Sequence, residues 1–257
     1  MVADAARERG SYVVAVAHQG ETDPALTKSV DKIIWIKLGQ LGKLINAFKK
    51  NSIVKATMAG TITKRRMFDN ISPDIKGLAL ISKMAIFHDD RILRAVAEEL
   101  AGHGIEIVSS TIYLPELVTP TGNLTRKKPG KADREDIRIG WMIAKELGRM
   151  DVGQCVVIKK RTVLALEAID GTNETILRGG RLAGEKAVVI KVSKPSQDLR
   201  FDVPSVGIET LKVMHEVKAS ILALEAGKTL MFEKDQMIEF ADNHKICIVA
   251  IENIEKF

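Results

Sequence analysis

The stretch KIIWIKLGQLGKLINAF, residues 32–48, changes period at its middle and so decides the fold class. Residues 32–38 form a short β-branched and apolar run that ends at Gly39, the pattern of a buried strand. From Gln40 the apolar positions become Leu41, Leu44, Ile45 and Phe48, which lie three and four apart, as on one face of a helix. Upstream, residues 11–18 between Gly10 and Gly20 read as another strand. Downstream, residues 53–58, closed by Ala59-Gly60, read as a third. Residues 90–100 carry Ile92, Leu93, Val96 and Leu100 at helical spacing, and residues 105–109 return to strand. Strands alternating with helices predict a mostly parallel, Rossmann-like α/β sheet for the first half of the chain.

Between residues 115 and 131 the composition shifts to proline, glycine, threonine and the basic cluster Arg126, Lys127 and Lys128, ending in Pro129-Gly130. Such a stretch reads as a linker, which gives domains over 1–125 and 126–257 and a hinge where proteolysis is expected to cut first. The second part is richer in strands. A helix over 133–148 is followed by runs at 154–158 and 162–166, which flank the basic turn Lys159-Lys160-Arg161 as a hairpin, and by a third run at 187–192. Helices over 208–217 and 235–243 alternate with strands over 221–224, 229–232 and 246–251, so this domain reads as mixed α/β. The chain has no internal repeat and no low-complexity tract.

Composition narrows the function. Hydrophobic residues at 46% and charged residues at 28% are the balance of a folded protein and not of a disordered one. Cys155 and Cys247 sit in apolar runs without a partner at metal or redox spacing, so they read as small buried residues in a reducing compartment. No basic segment with an apolar signal core opens the chain, and no run reaches the roughly 18 apolar residues of a membrane span, which points to the cytoplasm. A net charge of +6 could suit a polynucleotide, but the basic residues are dispersed and aromatics are only 4%. The excess reads instead as favouring small anionic ligands or, at most, peripheral contact with an anionic membrane, with no nucleic acid as partner.

Several phosphate chemistries fail on spacing. Ala226-Gly227-Lys228-Thr229 ends like a nucleoside-triphosphate loop, yet Leu222 stands where the first glycine is needed. Gly39-Gln40-Leu41-Gly42-Lys43 is too short for that loop but opens a helix after a strand, so it reads either as an anion site or as a plain turn. The histidines, His18, His88, His103, His215 and His244, are scattered without metal spacing, and no Gly-x-Ser-x-Gly elbow occurs. What remains are carboxylates at the ends of elements in the second half. Asp151, Glu167, Asp170, Asp198, Asp202 and Glu225 are hard oxygen donors suited to Mg²⁺, which binds a few carboxylates together with substrate phosphate oxygens. Lys191, Lys194 and Arg200 beside them fit a clamp on a diphosphate, or else a solvated loop with surface pairs. Pro204 stiffens the loop and disfavours helix at Val203, so Asp202 is expected in an extended segment.

Four segments then become recognisable together: GRMDVGQ at 148–154, ALEAIDGT at 165–172, KPSQDLRFDVP at 194–204 and LEAGKT at 224–229. In order and spacing they closely resemble the LpxI-type UDP-2,3-diacylglucosamine pyrophosphatases of lipid A biosynthesis. The resemblance extends more weakly through Val14-Ala15-Val16-Ala17-His18, Gly39 to Lys43, Met58-Ala59-Gly60 and Asp89 to Arg94. It implies Mg²⁺-dependent hydrolysis of UDP-2,3-diacylglucosamine to UMP and 2,3-diacylglucosamine 1-phosphate, called lipid X, with water adding to the phosphorus nearer the sugar. It implies Asp202 as the catalytic carboxylate and a metal ligand, Glu167 and Asp198 as further metal ligands, and Gly60, Gly171, Thr172, Lys191, Lys194, Gln197 and Arg200 as substrate contacts. A homodimer is expected at the level of the family, and a substrate with two acyl chains requires a deep apolar groove near the catalytic loop. The alternative is a non-catalytic sugar-nucleotide or lipid-binding protein of the same fold. Family members usually open with a short strand and a glycine-rich turn, whereas this chain begins inside the following helix. The first sheet is therefore expected to lack its first strand, and restoring that strand is expected to raise melting temperature and activity.

Overall fold

The computed structural model describes residues 1–60, 72–82 and 89–257. The chain forms two compact units, Met1–Leu114 and Pro115–Phe257. No helix among the described residues is long and apolar enough to cross a membrane.

In the first unit, helix α1 (Val2–Glu8) leads into strand β1 (Val14–His18), which pairs in parallel with β2 (Lys32–Ile36), from Val14 opposite Lys32 to His18 opposite Ile36. After β2 the period changes as the sequence predicts, and α2 (Leu41–Lys50) buries Leu41, Ile45 and Phe48. A second parallel pair joins β3 (Lys55–Ala56) to β4 (Glu106–Ile107), with α3 (Ile75–Ser82) and α4 (Asp89–Ala101) between them in sequence. The start of α2, which the sequence leaves open as an anion site or a plain turn, already holds an anion of the protein's own. The Asp74 carboxylate accepts from Lys43 N–H at 3.2 Å and from Gly77 N–H at 2.9 Å, so one side chain satisfies orphan donors of both α2 and α3.

The second unit is built on a six-stranded sheet of order β5-β12-β10-β8-β6-β7, from β5 (Gly122–Asn123), β6 (Cys155–Lys159), β7 (Thr162–Leu166), β8 (Val188–Lys191), β10 (Ile221–Glu225) and β12 (Cys247–Ile251). Strands β8, β10 and β12 run parallel; β6 is antiparallel to β8 and to β7, and β5 is antiparallel to β12. A short parallel pair, β9 (Ser205–Val206) with β11 (Leu230–Met231), stands apart from it. The strands read as unbroken apolar runs because both faces are covered. Helix α5 (Lys131–Arg149) packs Ile137, Trp141, Ala144 and Leu147 with Val156, Ile158, Val188, Ile190 and Ile221. On the other face α6 (Thr172–Ala183), α7 (Ile208–Glu216) and α8 (Lys234–Asn243) contribute Ile176, Leu211, Met214, Met237 and Ala241 to a core with Val157, Val189, Leu222 and Ile248. Residues 115–130 are not a free connector in this arrangement. Thr119 N–H and hydroxyl both donate to Thr229 C=O, and Leu124 N–H donates to Ile248 C=O.

Helix α6 has a short apolar pattern because glycines share its packing face with Ile176. A Cβ on Gly179 would fall 2.5 Å from Val157 Cβ, and one on Gly180 would fall 2.2 Å from Val217 Cγ2. The roughly 1 kcal/mol that each glycine costs a helix is offset by a closer approach to the sheet and to α7.

The β6–β7 hairpin is as expected, but its turn places Lys160 and Arg161 at positive φ, where glycine or asparagine is usual. The buried Asp136 carboxylate compensates by accepting from Lys160 N–H at 2.8 Å and Arg161 N–H at 2.5 Å. Asp136→Ala is expected to destabilise the protein by about 3 kcal/mol, since two hydrogen bonds to a charged acceptor are lost. Chemical denaturation would show this, and a change under about 0.5 kcal/mol, the level of an indifferent surface site, would count against it.

Candidate active site

The charged residues that end the parallel strands β8 and β10 gather at one edge of the six-stranded sheet. Lys191 closes β8 and lies opposite Cys155 on β6 and Leu224 on β10, while Glu225 closes β10 opposite Ile251 on β12. This is the carboxyl edge of the parallel strands, where α/β sheets bind ligands.

Glu167 follows β7 and is buried. Its Oε2 accepts from Gln154 N–H at 2.9 Å and its Oε1 from the Thr172 hydroxyl at 2.7 Å. Gly153 makes the first contact possible, because a Cβ there would sit 2.2 Å from Glu167 C=O. Gly171, at φ +81°, turns the chain into α6 and leaves the N–H groups of its first turn unbonded within the helix. Beside that helix end the Lys191 ammonium donates to Thr172 Oγ1 at 3.0 Å and to Ser205 C=O at 2.7 Å. Lys191 is only 7% exposed, yet both partners are neutral and it forms no ion pair among the described residues. A buried cation without a carboxylate, next to a helix N-terminus, is an arrangement that stabilises an anion. These groups line an open cleft of about 410 Å³, within the size range of small-ligand sites. Its walls are polar, with Asp170, Asn173, Thr210 and Ser205, and only Val206 and Phe232 bring apolar side chains. The deep apolar groove expected for acyl chains is therefore not this cleft.

The loop after β8 carries the remaining candidates and is anchored from inside. Ser193 N–H donates to Glu225 Oε2 at 2.8 Å, and Ser193 C=O accepts from Lys145 Nζ at 2.8 Å. Lys145 and Glu225 are themselves paired at 2.5 Å, and Lys228 meets the other carboxylate oxygen at 3.0 Å. Burial works to raise the Glu225 carboxyl, but the hydrogen bonds from Lys145 and Lys228, the Lys145 charge and the Ser193 N–H outweigh it and hold the group below its usual value. A depressed value means that this contribution to stability is complete above about pH 4.5 and is lost as pH falls through the folded-state value. Glu225→Gln is expected to cost about 2–4 kcal/mol at neutral pH, by leaving Lys145 partly buried and unpaired, and to flatten the loss of stability below pH 4.5. An unchanged acid slope in urea denaturation would refute that assignment.

Further along the loop, Lys194 pairs with Asp151 at 2.5 Å, and Arg200 grips Asp198 with two contacts at 2.9 and 2.7 Å. Asp202 closes a turn before β9, with its N–H donating to Asp198 C=O at 3.3 Å, and is exposed. Its Oδ2 accepts from Gln197 Nε2 at 2.6 Å, and Oδ1 accepts no hydrogen bond among the described residues. Two residues, Val203 and Pro204, separate Asp202 from Ser205 on the cleft wall, a tether of roughly 10 Å at full extension. The structure thus brings Gly171, Thr172 and Lys191 together in the cleft and places Lys194, Gln197, Asp198, Arg200 and Asp202 on one adjoining loop. Gly60 lies in the first unit, after β3.

Magnesium needs a carboxylate oxygen open to it. Among the described residues no three His, Cys, Asp or Glu side chains come together as a ligand set. Both Glu167 oxygens are taken by Gln154 and Thr172, and both Asp198 oxygens by Arg200. Asp202, with one oxygen clear, fits an ion held jointly with substrate phosphate oxygens, the usual mode for Mg²⁺. Of the Lys145–Glu225 clamp the sequence singles out only Glu225, as a carboxylate at the end of an apolar strand; Lys145 and the Asn173, Thr210 and Phe232 walls have no counterpart among the sequence-derived candidates.

A mixed α/β sheet whose carboxyl edge carries an anion-receptive cleft places the chain among the α/β proteins that handle phosphorylated ligands. Comparison with known proteins makes this specific. Residues 1–117 match the LpxI N-terminal domain and residues 120–249 the LpxI C-terminal domain, so the chain belongs to the LpxI family and is a hydrolase. It is similar to the UDP-2,3-diacylglucosamine pyrophosphatase LpxI of Caulobacter vibrioides, with 28% identity over 232 residues that cover 86% of this chain and 82% of that protein.

Proposed function

We propose that this chain is a cytoplasmic, Mg²⁺-dependent hydrolase that splits the pyrophosphate of UDP-2,3-diacylglucosamine into UMP and 2,3-diacylglucosamine 1-phosphate in lipid A biosynthesis. The observation that carries the reading is Lys191, a buried ammonium without an anionic partner, facing the cleft beside the first turn of α6. A diphosphate oxygen there would receive N–H groups from the helix start and the charge of Lys191. The polar cleft suits the phosphate and nucleoside part of the substrate, and the acyl chains extend away from it. Asp202, tethered close to the cleft wall, orients the attacking water and accepts its proton as the phosphorus–oxygen bond forms. When bound, Mg²⁺ supplies Lewis-acid neutralisation of the phosphate charge.

The test is UMP release from UDP-2,3-diacylglucosamine by the purified chain, with Mg²⁺ and with a chelator in its place. Release that needs the metal is expected. A folded chain that binds the substrate in both conditions and releases no UMP would show a binding protein of the same fold.

A further inference from the structure

The orientation of the Gln197 amide is fixed by its neighbours. Its Oε1 accepts from the Ser193 hydroxyl at 3.1 Å and from Lys194 N–H at 3.0 Å, which leaves Nε2 to face Asp202 Oδ2 at 2.6 Å. The flipped amide would set a carbonyl oxygen against the carboxylate and an NH₂ group against Lys194 N–H, losing both of those contacts, while the Ser193 hydroxyl could only reverse its role. Ser193 cannot shift to follow a rotating glutamine, because its peptide is clamped on one side by Glu225 and on the other by Lys145. Ser193 and Glu225 are 3% and 5% exposed, so the relay starts inside the protein and ends on an exposed aspartate. A carboxylate on an exposed loop otherwise samples several rotamers, and a donor on one oxygen fixes the plane and the direction of the other.

We propose that Gln197 is a positioning residue for Asp202, holding Oδ2 so that Oδ1 meets the reacting centre, through the sequence Lys145–Glu225, Ser193, Gln197, Asp202. The inference rests on the role given to Asp202 in turnover. It differs from a substrate contact at Gln197, because such a contact acts on binding, whereas positioning of Asp202 acts on the chemical step.

The test uses the full chain and the kinetics of UMP release for wild type, Gln197→Ala, Gln197→Glu, Asp202→Asn and the double variant Gln197→Ala/Asp202→Asn. Gln197→Ala is expected to lower kcat about 10- to 100-fold, the scale of a small misplacement of a reacting group, with KM within about twofold. Gln197→Glu keeps an acceptor for Ser193 and Lys194 but turns a second oxygen toward Asp202, so it is expected not to restore kcat. In single-turnover experiments Gln197→Ala is expected to add nothing to Asp202→Asn, the mark of two residues acting as one unit. Recovery of wild-type kcat by Gln197→Glu would make Gln197 a brace for the loop start. A rise in KM as the main effect would make it a substrate contact, and additive losses would separate it from Asp202. Each of these three overturns the inference alone, whereas a wild-type chain that releases no UMP overturns the reading of function on which it rests.

Discussion

Asp202→Ala is expected to leave a folded protein that still retains bound substrate but releases UMP about 10² to 10⁴ times more slowly, the range for loss of a positioned acid–base group. The size follows from where the side chain acts. Asp202 is exposed, its carboxylate accepts from Gln197 alone among the described residues while its N–H bonds to Asp198 C=O, and no core residue depends on its side chain. Truncation therefore costs the fold little, within about 0.5 kcal/mol. The charge on the attacking water, by contrast, develops only as the new bond to phosphorus forms, so the loss falls on kcat more than on KM. Asp202→Asn keeps the shape and removes the charge, and is expected to be as slow. UMP release and thermal melting measured on both variants decide the point. A well-folded variant with near wild-type turnover would remove Asp202 from the mechanism, and a variant that melts early with activity intact below its transition would make it a brace of its loop.

What the sequence discloses follows how local each cause is. Strands β6, β8, β10 and β12 are legible because burial on both faces leaves them no polar position until the last residue. The change of period at Gly39 is legible because α2 buries a single face through Leu41, Ile45 and Phe48. Helix α6 is less so, since Gly179 and Gly180 share its packing face with Ile176, and the need for them lies in Val157 and Val217, far away in the chain. Residues 115–130 carry the composition of a connector, and nothing local shows that Thr119 bonds to Thr229 or Leu124 to Ile248. At the site, Lys191, Thr172 and Asp202 are of the right types, but their relations are tertiary. Glu167 is chemically a good metal ligand and the fold surrounds it with donors; Asp198 is another, and Arg200, two residues away, takes both of its oxygens. Carboxylate chemistry can be read from residue type, whereas the number of open oxygens depends on packing.

Lys191→Met is expected to separate binding from stability. In the folded protein the Lys191 ammonium is buried and bonded only to the Thr172 hydroxyl and the Ser205 carbonyl, with the Glu167 carboxylate one hydroxyl further away, so its charge is compensated only indirectly. Replacing such a group by an apolar side chain of similar length removes a desolvation cost, and the loss of two neutral hydrogen bonds, about 1 kcal/mol each, works against that gain. The melting temperature is thus expected to stay close to that of the wild type. Binding responds differently, because a phosphate oxygen in the cleft loses a charge-assisted contact worth about 1.5–3 kcal/mol in a poorly hydrated setting, or roughly 10- to 150-fold in affinity. Lys191→Arg is not expected to rescue it, since a planar guanidinium does not fit a slot shaped for one compact ammonium between β8, Thr172 and Ser205. Calorimetric titration with UMP, alongside melting curves, gives both quantities. Unchanged UMP affinity in Lys191→Met would move the phosphate out of this cleft. A melting temperature lowered by more than about 5 °C, with affinity retained in the folded fraction, would make Lys191 a structural tie between α6 and β9.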